Sequence, residues 1–98
     1  MSAFAYVKHY CTPEGLQRFS DTYREHKKRA AKYPGFVSLR RLDPLTEGTP
    51  GEIFSLLEFT NKDLMLAWRA SDDHKWVAQE YGKYWTKPPE MLLYSSED

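Results

Sequence analysis

Two apolar stretches in the middle of the chain decide the fold: FVSLRRL at Phe36–Leu42 and IFSLLEFT at residues 53–60. Both have the length of a strand and carry large apolar side chains. The intervening residues 43–51 hold two prolines, two glycines and two threonines, which predicts a long hairpin loop. Neither alternating set of side chains in the two strands is uniformly polar. We therefore expect both faces of the sheet to be covered.

The segment before these strands predicts a strand followed by a helix. Residues Ala3–Tyr10 alternate in a pattern of period two, which is typical of a strand. Thr12 and Pro13 predict a helix start, because threonine caps a helix and proline suits its first turn. Apolar positions then recur three and four residues apart as far as Tyr33, where a Pro-Gly pair is expected to end the helix.

The segment after the two strands predicts two short helices and a last strand. Asn61 is expected to cap a short helix that carries Trp68. The stretch Ser71-Asp72-Asp73 then predicts a break and a fresh cap, followed by a second helical piece that carries His74. A pair of prolines then excludes further helix, and residues 91–95 predict a strand. The resulting order, β-α-β-β-α-β, is the ferredoxin-like α+β arrangement. It consists of a four-stranded antiparallel sheet with the helices on one face.

Length and charge narrow the class of protein. From its length, we expect the chain to form a single domain over residues 1–98. Fourteen basic side chains cancel fourteen acidic ones, which argues against a nucleic-acid partner and against a membrane surface. The absence of a long apolar run or a secretory signal, together with the single cysteine, leads us to expect a cytoplasmic protein. Scattered histidines and the lack of a glycine-rich phosphate loop predict no metal and no cofactor.

The covered sheet and the cancelled charge together predict a homodimer. Helices cover one face of the sheet, and a second copy of the chain is the simplest cover for the other face. A net charge near zero removes a barrier to that association. Seven tyrosines, five phenylalanines and three tryptophans also indicate that aromatic rings line a pocket or an interface.

Three further motifs are YPGF at residues 33–36, LEFT at residues 57–60 and AWRASDDH at residues 67–74. Together they resemble the antibiotic biosynthesis monooxygenase family of the dimeric α/β-barrel superfamily. The resemblance covers most of the chain. It implies a dimer of ferredoxin-like subunits that form a dimeric α/β barrel, with a cavity between sheet and helices or near the barrel. It also implies cofactor-independent oxygenation, haem degradation, or an isomerase-like or cyclase-like reaction.

Departures from the family patterns bear on the choice among these activities. Haem-degrading members need an asparagine on the first strand and a haem-ligating histidine further along than His74, and this chain has neither. Anthrone-oxidising members have an asparagine shortly before their tryptophan and a tyrosine after it, whereas here Leu64 precedes Trp68 and His74 follows. We expect a cofactor-independent monooxygenase of a small phenolic, quinol or polyketide-like aromatic substrate. A polyketide cyclase or isomerase, a haem-binding protein and a non-catalytic dimeric ligand-binding protein stay open as alternatives.

His74 is the candidate catalytic base. An imidazole with an ordinary pKa of about 6.5 suits proton abstraction from a phenol or an α-keto carbon. Asp72 or Asp73 is close enough in sequence to orient this ring or to raise its pKa. The alternative role for His74 is that of a structural residue at a helix start.

The candidate substrate-binding residues are more scattered. Trp68 is expected either to stack on the substrate or to pack in the core. Glu58 could pair with an arginine, or the arginines could hold a substrate anion. His26 is expected to pack within its helix, and strand phase alone does not place His9. The full set of candidate substrate-binding residues is Trp68, Tyr6, Arg40, Arg41, Glu58 and Tyr81.

Overall fold

A computed structural model describes residues 1–45 and 51–96. The four strands form one antiparallel sheet in the order β2-β3-β1-β4. This arrangement confirms the predicted ferredoxin-like α+β fold. No helix in the described ranges is long and apolar enough to cross a membrane. The elements are β1 Ala3–Tyr10, α1 Pro13–Ala30, β2 Phe36–Leu42, β3 Glu52–Phe59, α2 Lys62–Arg69, α3 Asp72–Gly82 and β4 Glu90–Ser95.

Element boundaries follow the predicted pattern with small shifts. The strands β1 and β2 have the predicted bounds, β3 is shifted back by one residue, and β4 begins one residue earlier. Helix α1 ends at Ala30, and Tyr33 follows in a turn where its amide donates to the Ala30 carbonyl at 3.0 Å. The hairpin loop predicted for residues 43–51 falls mostly on residues 46–50, which lie outside the described ranges.

The predicted caps begin the three helices. The Thr12 hydroxyl accepts a hydrogen bond from the Gly15 amide at 3.1 Å, and the Asn61 side chain accepts from the Leu64 amide at 2.9 Å. Ser71 caps α3 in the same way. These side chains replace partners that the first turn of a helix cannot provide for its own amides.

The two faces of the sheet differ in their cover. On the helix side, Ala5, Leu39 and Leu57 are buried beneath the helices. On the opposite side, which we call the open face, Tyr6 is paired in register with Leu56 and Leu92. Leu92 is 48% exposed. Both faces therefore carry large apolar side chains, as predicted. Within a single chain the helices cover only one of them, and β4 is exposed along its whole length.

The turn from α1 into β2 depends on a glycine. Gly35 has a φ of 85°, a conformation that side chains with a Cβ adopt only at a cost. Its carbonyl accepts a hydrogen bond from the Thr60 amide at 2.8 Å, which ties the turn to the end of β3. A Cβ at this position would lie 2.5 Å from Leu64 Cδ1 and 2.8 Å from Thr60 Oγ1. Leu64 and Thr60 thus pack so closely against Gly35 that they leave no room for a side chain there.

We predict that Gly35→Ala destabilises the protein by about 1–3 kcal/mol, because it adds both backbone strain and a clash. Urea unfolding monitored by tryptophan fluorescence would measure the change. Gly82→Ala is the matched control, because a Cβ there would make an ordinary contact of 3.4 Å with Trp85. That control should stay within about 1 kcal/mol of the native protein. Equal effects of the two substitutions would contradict the account of the turn.

Candidate functional site

A cavity of about 70 Å³ lies between the helix side of the sheet and the helices. Its inner wall is buried and its mouth is partly exposed, with Met91 of β4 at 40% exposure. Typical small-molecule pockets measure roughly 300–1,000 Å³. This cavity therefore accommodates a very small ligand or one end of a larger one. The buried wall includes His9, His26, Ser55, Leu57, Trp68 and Tyr81, and the mouth includes Arg69, His74, Ala78 and Met91.

Trp68 forms part of the inner wall of this cavity. Its side chain is fully buried, and its ring packs edge-on against Tyr33 and His74 at centroid distances of 5.0 and 5.6 Å. The ring of His26 stacks on it at 5.8 Å, with an angle of 15° between the planes. The sequence left core packing and a place in the cavity wall as alternatives for Trp68. In the structure Trp68 is both a core residue and part of the cavity wall. The indole Nε1 has no hydrogen-bond partner among the described residues.

His26 and Tyr81 form a buried pair on the same wall. The His26 Nδ1 atom lies 3.0 Å from the Tyr81 hydroxyl, and His26 Nε2 has no partner among the described residues. Burial, with a smaller contribution from His74 and His9, lowers the pKa of His26 to about 3. Burial also raises the pKa of Tyr81. Both side chains are therefore neutral at pH 7.

His9 is a second buried histidine of the cavity wall, projecting from β1. Its Nδ1 accepts a hydrogen bond from Trp85 Nε1 at 3.3 Å, and its Nε2 lies 3.5 Å from the Ser55 hydroxyl. Because an indole nitrogen only donates, we assign the His9 proton to Nε2, on the side of Ser55. Burial lowers the pKa of His9 to about 4. His9 is thus a neutral residue with a fixed tautomer.

His74 lies in the first turn of α3, partly buried at the mouth. Burial lowers its pKa, and the positive charge of Arg69 lowers it further. The expectation that Asp72 or Asp73 would raise this pKa is not met. The Asp73 carboxylate instead accepts hydrogen bonds from Arg29 and Tyr33, both at 2.8 Å.

Arg69 is a cavity residue that the sequence analysis missed. It lies at the end of α2, is partly buried, and makes no ion pair with any carboxylate in the described part of the chain. Burial lowers its pKa from the ordinary value of an arginine, and an arginine remains charged in proteins. The sequence offered one indication that Arg69 lies at the cavity. It directly follows Trp68, in the last turn of α2, and this turn lies at the mouth.

The predicted substrate-binding residues are divided between the two faces of the sheet. Tyr6, Arg40 and Glu58 lie on the open face, opposite the cavity, because strand alternation puts them out of phase with Ala5 and Leu57. Tyr6 stacks on Phe54 at 5.7 Å. In the described ranges, Glu58 forms no ion pair with Arg40 or Arg41. The suggested pairing of Glu58 with an arginine is therefore not observed.

Arg41 lies on the helix side but outside the cavity lining. Its guanidinium donates to Asp43 and to the Ser20 hydroxyl, both at 3.1 Å, and it lies 5.3 Å from the Phe19 ring centroid. Of the predicted site residues, only Trp68, His74 and Tyr81 line the cavity. Across the described ranges, no three His, Cys, Asp or Glu side chains are grouped so that they could hold a metal ion.

The buried histidines predict a loss of stability in mild acid. Between pH 6.5 and 5 the unfolded chain takes up protons on His9 and His26, whereas the folded chain does not, because burial lowers both pKa values. The free energy of unfolding therefore rises with pH in this range, by up to about 1.4 kcal/mol per pH unit for each histidine. Urea unfolding at several pH values would measure the slope.

The variant His9→Gln isolates one of the two contributions, since a glutamine oxygen can still accept from Trp85. Its free energy of unfolding should depend less steeply on pH than that of the native protein over the same range. An unchanged slope in this variant would contradict the assignment of a lowered pKa to His9.

Solved structures share this fold at low sequence identity. A conserved protein from Methanosarcina mazei Go1 superposes with a TM-score of 0.86 at 18% identity, over 99% of this chain and 94% of that one. Rv0793 from Mycobacterium tuberculosis superposes with a TM-score of 0.82 at 11% identity, over 100% of this chain and 97% of that one. SnoaB, a cofactor-independent oxygenase from Streptomyces nogalater, superposes with a TM-score of 0.76 at 16% identity, over 99% of this chain and 93% of that one. At these identities the likeness shows the fold alone.

No curated protein matches the chain. A family model does match it, over residues 4–80, and its description is antibiotic biosynthesis monooxygenase. The match extends from β1 through most of α3, and it includes Trp68, Arg69 and His74 of the cavity. On this match, the chain belongs to the antibiotic biosynthesis monooxygenase family.

Proposed function

We propose that the protein is a cofactor-independent monooxygenase of a small phenolic, quinol or polyketide-like aromatic substrate. The observation that supports this most directly is the arrangement at the mouth of the cavity. His74, whose pKa is lowered, lies beside Arg69, a cation without an ion pair in the described part of the chain. The His74 ring contacts the buried Trp68 edge-on at 5.6 Å. Family membership supports the same reaction class.

His74 acts as the base that removes a proton from the substrate. Because its pKa is lowered, the imidazole is neutral at pH 7 and can accept a proton. The proton leaves an acidic carbon, such as a methylene between two aromatic rings, and the electron pair stays on the substrate as an enolate. The charge of Arg69 favours this anion.

Dioxygen is the co-reactant in the oxygenation step. The enolate transfers one electron to dioxygen, and the two radicals combine into a carbon-bound hydroperoxide after uptake of the proton. Loss of water from the hydroperoxide leaves a carbonyl where the methylene was. The methylene and one dioxygen thus become one carbonyl and one water, so that the four electrons lost by carbon reduce both oxygen atoms.

The size of the cavity limits how the substrate binds. About 70 Å³ admits the reacting edge of an aromatic compound, and the remainder extends over the mouth. Met91 on β4 borders that mouth and is partly exposed, so an extended ring system would lie against it. The apolar lining keeps water from the enolate while it reacts.

Proton transfer without oxygenation is the second candidate function. The same neutral His74 would serve a cyclase or isomerase, and the small cavity suits an enolisable group as well as an aromatic edge. Consumption of dioxygen during turnover separates the two reactions. Turnover of enolisable substrates in the absence of dioxygen would favour the cyclase or isomerase.

We predict that the variant His74→Gln keeps its fold and loses about 10²–10⁴-fold in kcat, the range of general-base catalysis. In the native protein, kcat/KM should rise with pH through a group whose pKa lies below 6.5, because burial and Arg69 lower the pKa of His74. Oxygen uptake with a panel of anthrones and quinols would measure both effects. Native turnover by the glutamine variant would rule out this role for His74.

The variant Arg69→Gln tests the charge effect separately. Removal of the cation should raise the pKa of His74, so the ascending limb of the pH profile should move to higher pH. Lys75→Gln is the matched control, because Lys75 is exposed on α3 and does not line the cavity. A limb that moves equally in both variants, or in neither, would contradict the proposed coupling.

We also propose that the open face pairs with a second copy of the chain. Sedimentation at micromolar concentration should then give about 23 kDa, twice the 11.5 kDa of the chain. Leu92→Lys, on the open face, should shift the protein towards a monomer. Leu66→Lys, on α2 and also exposed, is the control that should leave the mass unchanged. A folded native monomer would refute the dimer.

A further inference from the structure

Arg69 differs from the other partly buried basic side chains of the protein, because it has no counterion. In the described ranges, the partly buried lysines and arginines are Lys8, Arg29, Arg41 and Arg69. The first three each contact a carboxylate, at distances of 2.8–3.2 Å between nitrogen and oxygen. Arg69 forms neither an ion pair nor a side-chain hydrogen bond with any described residue. Its charge is therefore not balanced by this part of the chain.

The surroundings of Arg69 make the missing counterion costly. Arg69 lines the mouth of the cavity, and the lining contains no carboxylate. Burial lowers the pKa of Arg69, which means that the charged guanidinium has lost part of its hydration there. A charge that is partly removed from water is stabilised when an opposite charge pairs with it. The mouth of the cavity is therefore suited to an anion that arrives with the ligand.

The chemistry of the site narrows this anion to a carboxylate on an aromatic body. A guanidinium is planar, and its N–H groups match the two oxygens of a carboxylate. The lining next to Arg69 is largely apolar and includes Trp68, Val77 and Met91. A free inorganic anion would gain nothing from that wall, whereas an aromatic acid would contact both the wall and the cation. Because a guanidinium has five N–H donors, a carboxylate on two of them leaves others for the enolate oxygen.

We propose that Arg69 binds a carboxylate of the substrate at the mouth of the cavity, so that the protein selects an aromatic acid over the corresponding neutral compound. This inference rests on the proposed function for the identity of the rest of the substrate, a phenolic or polyketide-like ring system. It makes Arg69 a specificity-determining residue beside the base His74. A neutral substrate would still reach His74, but it would leave the charge of Arg69 unbalanced.

Binding of the three hydroxybenzoates to the whole protein, each compared with its amide by calorimetry, tests the site. At pH 7 each acid is an anion, whereas its amide has nearly the same shape and is neutral. We expect at least one acid to bind about ten- to hundredfold more tightly than its amide, the effect of hydrogen bonds to a charged group.

Variants of Arg69 identify the source of this preference. Arg69→Gln should abolish the preference for the acid. Arg69→Lys should keep part of it, because lysine retains the charge but not the planar set of donors. Lys75→Gln is the matched control, since Lys75 is exposed on α3 and does not line the cavity.

Proton NMR of His74 provides a readout that does not depend on turnover. The positive charge of Arg69 lowers the pKa of His74. A carboxylate bound to Arg69 offsets that charge, so saturation with the acid should raise the pKa of His74, and saturation with the amide should not. The adjacent carboxylate of Asp73 is already engaged in two hydrogen bonds, and the facing His26 on α1 is neutral at pH 7.

Equal binding of every acid and its amide by the native protein would overturn the inference. So would a preference for the acid that Arg69→Gln and Lys75→Gln retain alike, or a pKa of His74 that the acid leaves unmoved. Inorganic phosphate that binds as tightly as every acid would also overturn it, because the apolar wall would then contribute nothing.

The outcome is separable from the proposed function. A preference for the acid that depends on Arg69, in a protein that turns over no substrate, would support the carboxylate site and remove the oxygenase. Turnover of neutral quinols that depends on His74, with no preference for acids, would do the reverse.

Discussion

The Ser71 hydroxyl donates a hydrogen bond to the Trp68 carbonyl at 2.6 Å and accepts one from the His74 amide at 3.1 Å. With these two bonds, one side chain ends α2 and begins α3. A continuous helix would place residues six apart on different sides of its axis, since each residue turns by about 100°. The break instead brings the rings of Trp68 and His74 into edge contact. The candidate base and the wall of the cavity are neighbours because of this turn.

The three histidines of the chain line one cavity, but they differ in how deeply they are buried. His9 and His26 are deeply buried and hydrogen-bonded to Trp85 and Tyr81, which leaves them neutral throughout the physiological pH range. His74 is at the mouth, where an incoming substrate can reach it. Burial thus keeps the two inner histidines neutral, and under the proposed function proton exchange is the task of the outer one.

The open face gives the other predicted substrate residues a different setting. Tyr6, Arg40 and Glu58 lie where a second copy of the chain would pack under the proposed dimer. Aromatic and arginine side chains are common in such interfaces. The same alternation that separates them from the cavity also places large apolar side chains on both sides of the sheet.

Local signals in the sequence were sufficient for the fold. Helix-start signals at Thr12, Asn61 and the stretch Ser71-Asp72-Asp73, together with the period-two strands, predicted every element within a few residues. Such signals depend on neighbours along the chain. The family motifs at residues 33–36, 57–60 and 67–74 were also legible without a structure.

The composition of the cavity was decided only by tertiary packing. His26 on α1 meets Tyr81 on α3 across 55 residues of sequence, and His9 on β1 meets Trp85 across 76. No local pattern reports such distances. The sequence predicted His26 only as a packing residue of its helix, and strand phase alone did not place His9. Whether such a histidine is a satisfied core residue or has an unpartnered nitrogen depends on which side chains other elements bring to it, and that is a property of the packed structure alone.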